Sequence, residues 1–407
     1  MKTCRVLLKI TVYLTAITLL MTVASGCWSR KEIEDLAFVV AVGVDMSPSG
    51  NIQITAQFAK PEAMGSAEGQ KSDEKPFWVA TSEGNTMFEA LRNLSYLSPK
   101  RPYLPHNNFY LFGEEVFRES GLKPFLDLIN RNPEPRLTAH IGVVKGATAK
   151  DLIQAEFEGM PMSSRALQGI MNHLTNAWGT IPETTIREFM DRMESEGIEP
   201  IAMGAKLIPF ESDFEIEGEV SREQVKATAT LGGTAVFKGD YLVGWLDSFE
   251  TRGLNWILGK VNDTVVEFPQ PAAEGKIASA EILRSSGKFK VEVEDDRVRA
   301  RIEVNTVGNL GGVQEPVDFI EEPELWTQFE RGVETAIEDE IARTIATLQR
   351  LGADAVGFGQ YIFRRKPKEW AKLRDRWDEI FPTIEVSINV TTHLRGTGVI
   401  LKSTESR

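Results

Sequence analysis

The sequence contains very few cysteines and histidines. Its two cysteines are Cys4 and Cys27, and Cys4 lies in a basic N-terminal stub. If that stub is removed, Cys27 has no intramolecular disulfide partner, and a cysteine-rich zinc site is excluded. The four histidines are widely separated and lack acidic residues at metal-ligand spacing, so no metal site is expected. They are His106, His140, His173 and His393.

Positive charge is also scarce. Lysine and arginine together number 46, against 59 aspartate and glutamate residues, and the formal net charge is −13. Because phosphate binding requires a clustered basic surface, this balance disfavours nucleic acid as a partner. It equally disfavours adsorption to anionic lipid through a basic patch. The acidic excess is otherwise typical of a soluble folded domain.

The common catalytic and nucleotide-binding motifs are absent. The chain has no His-Glu-x-x-His, no Gly-x-Ser-x-Gly, no Walker loop and no Gly-x-Gly-x-x-Gly after a predicted strand. Ser285 and Lys288 have the spacing of a serine nucleophile and a lysine base, but that chemistry requires both on one helical turn. Ser285-Ser286-Gly287 instead predicts a tight turn between two strands. We therefore expect no enzymatic activity and no cofactor.

The N-terminal segment has the features of an export signal. Residues 1–9 are basic, and residues 10–23 form an apolar stretch shorter than the roughly 20 residues of a membrane-spanning helix. Ala24-Ser25-Gly26 then places small side chains before Cys27, which resembles a lipobox with alanine where leucine is most frequent. The sequence predicts a signal peptide at residues 1–26 and lipidation of Cys27. An uncleaved anchor and a structural cysteine are the alternatives.

The N-terminal half mixes predicted strands and helices. Leu36–Met46 is a valine-rich apolar run that predicts a strand buried on both faces, and the alternation in residues 51–59 predicts a strand buried on one face. Residues 61–76 contain few apolar side chains and predict a surface loop. Further strands are predicted at residues 77–82, 107–112 and 138–144, and helices at residues 86–97, 116–129, 149–157, 163–178 and 183–193.

The C-terminal half has a different pattern. In residues 323–351 apolar side chains recur every three or four positions, which predicts one long amphipathic helix. Antiparallel strands would supply the complementary surface for its apolar stripe. A hairpin is predicted at residues 225–246, strands at residues 265–268, 276–284, 288–294, 297–307 and 383–394, and shorter helices at residues 249–258, 354–363 and 367–381.

These patterns predict an α+β fold with more than one domain. An N-terminal α+β region at residues 27–209, long enough for two domains, is followed by an acidic linker at residues 210–224. A C-terminal α+β domain at residues 225–400 would contain the antiparallel sheet, packed by the long helix and the shorter helices.

Two features of the last helices have more than one interpretation. Gly357 and Gly359 lie inside a helical pattern, where each glycine costs about 1 kcal/mol relative to alanine. Close approach of another element would explain them, and so would contact with a partner or ligand. Trp370 and Trp377 are seven residues apart on one helical face, which favours the core over a binding surface.

Several sequence blocks, taken in order, resemble one family. Cys27 is followed directly by WSRKEIEDLA, and VVAVGVD occupies residues 39–45. Further blocks are GGTAVFKGDYLVGWLDSFETRGLNWILG at 232–259, DAVGFGQYIFRRKPKEW at 354–370, W-x-x-x-F-P-x-I-x-V-x-I-x-V at 377–390 and RGTG at 395–398. Together they span nearly the entire chain and resemble the Ger(x)C family, the C subunit of the nutrient germinant receptors of spore-forming bacteria.

The resemblance implies a lipoprotein at the outer face of the spore's inner membrane, anchored in the lipid through a diacylglyceryl group on Cys27. It implies two integral membrane partners, the A subunit and a B subunit related to amino-acid transporters. It further implies three α+β domains and no known enzymatic activity. It assigns no ligand-binding side chains, so contact between this chain and a nutrient stays open.

Three classes of function remain at this stage. The leading hypothesis is a non-catalytic, membrane-tethered receptor subunit required for nutrient-triggered germination. The alternative is a solute-binding lipoprotein of a transport system, although such proteins usually show two similar α/β lobes, unlike the C-terminal half predicted here. A secreted cell-wall hydrolase is the third class, and it would need convergent acidic residues or a metal site.

Overall fold

The part of the chain that the structure describes folds around two β-sheets, one of nine strands and one of four. A computed structural model describes residues 2–24, 32–64, 75–119, 121–132, 134–157, 159–209, 227–294 and 297–396. Helices and strands are mixed throughout these residues, and the predicted α+β class is confirmed.

The large sheet has a parallel centre and antiparallel flanks. Its strands are β1 (Leu36–Met46), β2 (Ile52–Ala59), β3 (Phe77–Gly84), β4 (Arg101–Tyr103), β5 (Phe109–Gly113), β6 (His140–Val144), β7 (Ile201–Pro209), β8 (Ala227–Lys238) and β9 (Tyr241–Leu246). Their order is β3-β2-β1-β5-β6-β7-β8-β9, with β4 beside the start of β1. Strands β1, β5, β6 and β7 are parallel, whereas β2, β3, β8 and β9 pair antiparallel with their neighbours.

Helices cover both faces of the large sheet. The N-terminal helices are α1 (Lys2–Ala24), α2 (Pro61–Met64), α3 (Met87–Asn93), α4 (Glu114–Glu119), α5 (Lys123–Arg131), α6 (Ala149–Gln154), α7 (Ser163–His173) and α8 (Ile186–Glu194). Short 3₁₀ turns form at Ile33–Asp35, Leu94–Tyr96 and Leu104–His106, and Leu174–Trp178 is a π-helical turn. One apolar core lies under α3, α4, α5 and α8, and a second lies under α6 and α7.

Strand β1 has the predicted bounds and is buried on both faces, as its valine-rich run requires. Strand β2 differs from its prediction because its polar face is buried as well. The Gln57 side chain donates to Ser163 Oγ at 2.9 Å and accepts from Ser164 N at 3.2 Å. These bonds to α7 satisfy the Gln57 amide. The polar face of β2 can therefore be buried, although its alternating polar residues predict an exposed face.

The single helix predicted at residues 116–129 is wrong, because the segment forms two helices, α4 and α5. The break includes Gly121, whose φ of +65° is readily adopted only by glycine. A side chain at Gly121 would also collide with the Asp240 carboxylate, which comes from the β8–β9 turn.

The small sheet is covered by one long helix. Its strands are β10 (Thr264–Pro269), β11 (Ile277–Glu294), β12 (Arg297–Val313) and β13 (Glu385–Leu394), and its helices are α9 (Ser248–Ile257), α10 (Glu324–Leu351), α11 (Phe358–Arg365), α12 (Pro367–Leu373) and α13 (Trp377–Ile380), with 3₁₀ turns at Arg374–Arg376 and Phe381–Thr383. Strands β10, β11 and β12 are antiparallel, as predicted. Strand β13 runs parallel to β12, because α10 to α13 form a crossover between them.

The turn predicted at Ser285-Ser286-Gly287 is wrong. These residues continue strand β11, which pairs with β12 along nearly its whole length. A side chain at Gly287 would collide with the Trp256 carbonyl oxygen at the end of α9, so the glycine permits a close approach rather than a turn. Residues three apart on a strand lie on opposite faces, so Ser285 and Lys288 diverge. Lys288 Nζ instead pairs with Glu303 at 2.9 Å.

The predicted hairpin at residues 225–246 is confirmed as β8 and β9, but it belongs to the large sheet. Strand β8 pairs with β7, and β9 lies at the sheet edge. Residues assigned to the C-terminal domain thus complete the sheet of the N-terminal region. The acidic linker at residues 210–224 lies outside the described residues, and the domain division stays a prediction.

A buried ion pair joins α9 to α10. Arg252 and Glu340 are each 4% exposed, and Arg252 Nε donates to Glu340 Oε2 at 3.0 Å, with a second contact between the two groups. Glu340 Oε2 also accepts from Trp256 Nε1 at 2.9 Å, and Arg252 donates to the Val265 carbonyl at 3.0 Å. At Gly253 a side chain would meet the Glu340 carbonyl oxygen, so the two helices are in close contact.

We expect Arg252→Met to lower the free energy of unfolding by about 3–5 kcal/mol, because it leaves Glu340 buried without its counter-charge. The double variant Arg252→Met/Glu340→Leu should recover most of that loss, since it leaves no uncompensated charge. Guanidinium denaturation of the full chain in detergent measures both. Asp339→Asn, at an exposed neighbouring position on α10, is the control. A double variant no more stable than the single variant would contradict this account.

Candidate functional site

The predicted lipidation site, Cys27, lies outside the described residues, so lipidation stays a prediction. Helix α1 ends at Ala24, and the described chain resumes at Glu32 and enters β1 at Leu36. Eight residues separate Cys27 from β1, and the nine Cα–Cα steps from Cys27 to Leu36 span at most about 30 Å of extended chain. Within the described part of the chain, no helix combines the length and apolar character needed to cross a membrane.

A second candidate site is the contact between residues 195–200 and residues 354–370, which we call the junction. The first segment links α8 to β7, and the second leads into α11 and α12 of the small-sheet half. Gln360 N donates to the Gly197 carbonyl at 2.7 Å, and Glu199 N donates to the Asp354 carbonyl at 2.9 Å. Trp370 Nε1 donates to the Glu196 carboxylate. The junction therefore fixes the small-sheet half against the large sheet.

Arg192 strengthens the junction from helix α8. Its guanidinium donates to the Ala355 carbonyl at 2.9 Å and to the Glu199 carbonyl at 3.2 Å. One side chain thus bridges backbone groups on both sides of the contact, and charged donors form the stronger class of hydrogen bond.

Gly357 and Gly359 lie where another part of the chain approaches them closely, which confirms the first of the two interpretations of these glycines. Gly357 has a φ of +90° and precedes the first residue of α11, so the helix begins four residues later than predicted. A side chain at Gly359 would lie 2.8 Å from Gly197 Cα and 2.9 Å from the Trp370 ring. Both glycines therefore permit the junction to close.

Asp354 is a buried carboxylate at the start of α11. It accepts hydrogen bonds from the backbone N–H groups of Gly357, Phe358 and Gly359 at 2.7, 3.1 and 2.8 Å. Burial raises the pKa of Asp354 to about 6, although these three bonds oppose the shift. The carboxylate thus satisfies the free N–H groups of a helix N-terminus.

Trp370 and Trp377 are 4% and 7% exposed and pack edge-to-face, so their assignment to the core is confirmed. An open groove of about 490 Å³ runs beside the junction. Its acidic residues come from the α8 side, and its basic residues include Lys260 and two arginines of α11. The groove also has an apolar part, which includes Ile198 and Phe289, so charged side chains of both signs and apolar side chains share its surface.

The structure separates two of the four histidines and brings the other two together. His173 lies on α7, and His393 lies on β13 with Nδ1 3.5 Å from Glu330. His106 and His140 line the same cavity at one edge of the large sheet. Among the described residues, no group of three or more His, Cys, Asp or Glu side chains is arranged to hold a metal ion.

Family models match most of the sequence. Residues 29–206 match the spore germination protein N-terminal domain, and residues 232–398 match the spore germination B3/GerAC-like C-terminal domain. The chain belongs to the Ger(x)C family of spore germinant receptor C subunits. The second matched region begins at residue 232, within strand β8, so the second family domain begins inside the large sheet.

Individual members of the Ger(x)C family are similar to this chain over nearly its full length. Spore germination protein KC of Bacillus subtilis is 26% identical, over 95% of this chain and 96% of that protein. Spore germination protein B3 of Bacillus subtilis is 23% identical, over 93% and 95%. A crystal structure of the GerBC protein has a TM-score of 0.51 at 19% identity and covers 87% of this chain and 96% of its own. That likeness shows a shared fold.

The junction generates a prediction about packing. We expect Gly197→Ala to destabilise the protein more than Gly146→Ala. Both glycines have a φ near +70°, and alanine there costs about 1–2 kcal/mol. Gly146 has open space around it, whereas a side chain at Gly197 would lie 2.6 Å from Gln360 N, and such overpacking adds about 1–3 kcal/mol. Equal losses in the free energy of unfolding would show that the junction is not tightly packed.

Asp354 generates a prediction about pH. Its pKa is higher in the folded state than the ordinary value of 3.8, so the folded state binds this proton more tightly. Its favourable contribution to stability is therefore present below about pH 4 and is lost as the pH rises through 6, on the order of 3 kcal/mol in total. The difference in melting temperature between the unsubstituted chain and Asp354→Asn, recorded from pH 4 to 7.5, isolates this group. A difference that does not change with pH would refute the assignment.

Proposed function

We propose that this chain is the lipid-anchored C subunit of a nutrient germinant receptor and that nutrient-triggered germination requires it. Family membership over both matched regions carries the proposal. The single cysteine after Ala24-Ser25-Gly26 supports the lipid anchor, because two acyl chains give stable membrane attachment where one gives only marginal binding.

The position of β1 supports a close tether. The strand lies inside the large sheet, between β2 and β5, so force on Cys27 would act on the core of the domain rather than on a loose end. Within about 30 Å of the membrane, the folded part can contact integral membrane partners. In this proposal the partners are the A and B subunits, and the site is the outer face of the spore's inner membrane.

The role proposed is assembly or signalling rather than chemistry. The junction and the α9–α10 contact are built from hydrogen bonds between buried or partly buried groups, which supports a structural role for these residues. A protein of this kind can transmit contact with one partner to another through its rigid frame.

Cys27→Ala should abolish or strongly reduce germination in response to nutrients while leaving germination by non-nutrient agents intact. The substitution removes the thiol that would carry the lipid, so the chain should also leave the detergent phase in phase partition. Cys4→Ala is the matched control, because Cys4 lies in the segment predicted to be removed.

The experiment requires spores in which redundant receptors are deleted. Co-purification of the A and B subunits with a tagged chain, before and after Cys27→Ala, separates loss of anchoring from loss of assembly. An unchanged nutrient response of the Cys27→Ala spores would overturn the proposal.

A further inference from the structure

Strand β13 is the last strand of the small sheet, and no other described strand pairs with its outer edge. It pairs with β12 in one continuous register over its ten residues. Just beyond its end, Arg395 N donates to the Gly308 carbonyl of β12 at 2.8 Å. Because N–H directions alternate along a strand, the even-numbered residues of β13 direct their N–H groups away from β12. Such an edge can pair with a strand of another chain.

The sequence of β13 lacks the usual protection of an edge strand. EVSINVTTHL contains no proline, no glycine and no lysine, and half of its residues are β-branched. Natural edge strands commonly avoid pairing by being short, by containing proline or lysine, or by a β-bulge. A regular ten-residue strand of this composition would pair readily with a second extended chain. Its outer edge therefore requires protection from elsewhere in the fold.

Helix α10 provides three carboxylates along this edge. They belong to Glu330, Glu334 and Glu338, which we call the carboxylate row, and all three side chains are partly buried. Each Oε1 accepts a hydrogen bond from a backbone N–H group of β13. The donors are Leu394 N to Glu330 at 3.0 Å, Thr392 N to Glu334 at 2.9 Å and Val390 N to Glu338 at 3.3 Å.

The spacing of the row matches the spacing of the strand. Four residues of a helix rise about 6 Å, and two residues of a strand rise about 6.6 Å. Every fourth residue of α10 can therefore meet every second residue of β13. Like charges four residues apart destabilise a helix by about 0.2–0.5 kcal/mol for each pair. The row is thus unfavourable for α10 alone, and the N–H groups of β13 offset that cost.

We propose that the carboxylate row protects the β13 edge from strand addition, and that a second copy of this chain would pair with the edge if the row were removed. An incoming strand needs the N–H groups that the carboxylates occupy, and its own carbonyl oxygens would approach three negative charges. A second copy suits the bare edge because two β13 strands can pair about a two-fold axis. The proposal does not depend on lipidation of Cys27 or on receptor assembly.

Self-association of variants tests the role of the row. The triple alanine variant, Glu330→Ala/Glu334→Ala/Glu338→Ala, should reach at least twice the protein mass of the unsubstituted chain as concentration rises. Gel filtration with light scattering of the full-length chain in detergent measures this mass. The corresponding triple glutamine variant should keep the mass of the unsubstituted chain, because its amide oxygens still accept from the N–H groups.

A matched control removes the same charge elsewhere. Its positions are exposed and lie in or just before α10, and it should not associate. The control is Glu321→Ala/Glu324→Ala/Asp339→Ala.

A further substitution tests whether association uses β13. Asn389→Lys/Thr391→Lys, at exposed positions of the strand, should restore the lower mass when added to the triple alanine variant. Lysines on two paired edges would repel one another, and lysine is a common residue of protected edges.

Hydrogen exchange tests the row without association. In dilute protein, the amides of Val390, Thr392 and Leu394 should exchange at least about fivefold faster in the triple alanine variant than in the unsubstituted chain. Exchange in β11 should not change, which shows that the small sheet is folded. If the triple alanine variant does not fold, Glu334→Ala should accelerate exchange at Thr392 alone.

The proposal fails on any of four results. These are a folded triple alanine variant that keeps the mass of the unsubstituted chain; exchange of the three amides that the alanine substitutions do not accelerate; association of the glutamine variant or the charge control equal to that of the alanine variant; or association that the two lysines do not reverse. Since the readout is the mass and exchange of the isolated chain, its outcome is independent of whether spores need the chain to germinate.

Discussion

The buried ion pair between Arg252 and Glu340 fixes α10 against α9, the helix that contacts strands of both sheets. Helix α9 follows directly from β9 at the edge of the large sheet, and α10 covers the small sheet. A guanidinium and a carboxylate that are both shielded from water can be satisfied only in one relative position of these helices. A pair of this kind adds little net stability over an apolar contact, but removal of one partner alone leaves a buried charge uncompensated, so the two helices keep both.

The junction makes a second, independent contact between the same halves. Here the bonds run largely between side chains and backbone groups, as from Arg192 to the Ala355 carbonyl and from backbone N–H groups to Asp354. Two contacts far apart in the sequence restrain rotation better than one, because each opposes motion that the other would allow. Under the proposed attachment at Cys27, a tether near β1 would orient the small sheet as well as the large one.

The elements predicted well from sequence are those with a long, local signal. Strand β1 has an 11-residue apolar run and α10 has a 28-residue stripe, so each is specified by its own residues. Strand β7 is not predicted from the sequence, because its pairing with β6 and β8 joins residues far apart in the chain. The turn predicted at Ser285-Ser286-Gly287 is wrong because a local turn signal gives no information about the end of α9, which approaches Gly287 closely.

The contrast between local signals and contacts of distant residues also applies to the candidate sites. Lipidation of Cys27 is predicted from a local resemblance to a lipobox, and Cys27 lies outside the described residues. The cavity at one edge of the large sheet could not be found in this way, since Phe38, Asn107 and His140 come together only when three parallel strands begin at that edge.

The blocks that carry the family resemblance are largely the residues that hold the halves together. Residues 232–259 supply Arg252 and Gly253, and residues 354–370 supply Asp354, Gly357 and Gly359. Few residues other than aspartate can accept three backbone hydrogen bonds from a buried position. Few residues other than glycine permit direct contact between two backbones. Asn107 and Arg136, in the wall of the cavity at the edge of the large sheet, lie outside these blocks. The blocks and the cavity wall are thus largely separate sets of residues, and the contacts that hold the two halves together depend mainly on the blocks.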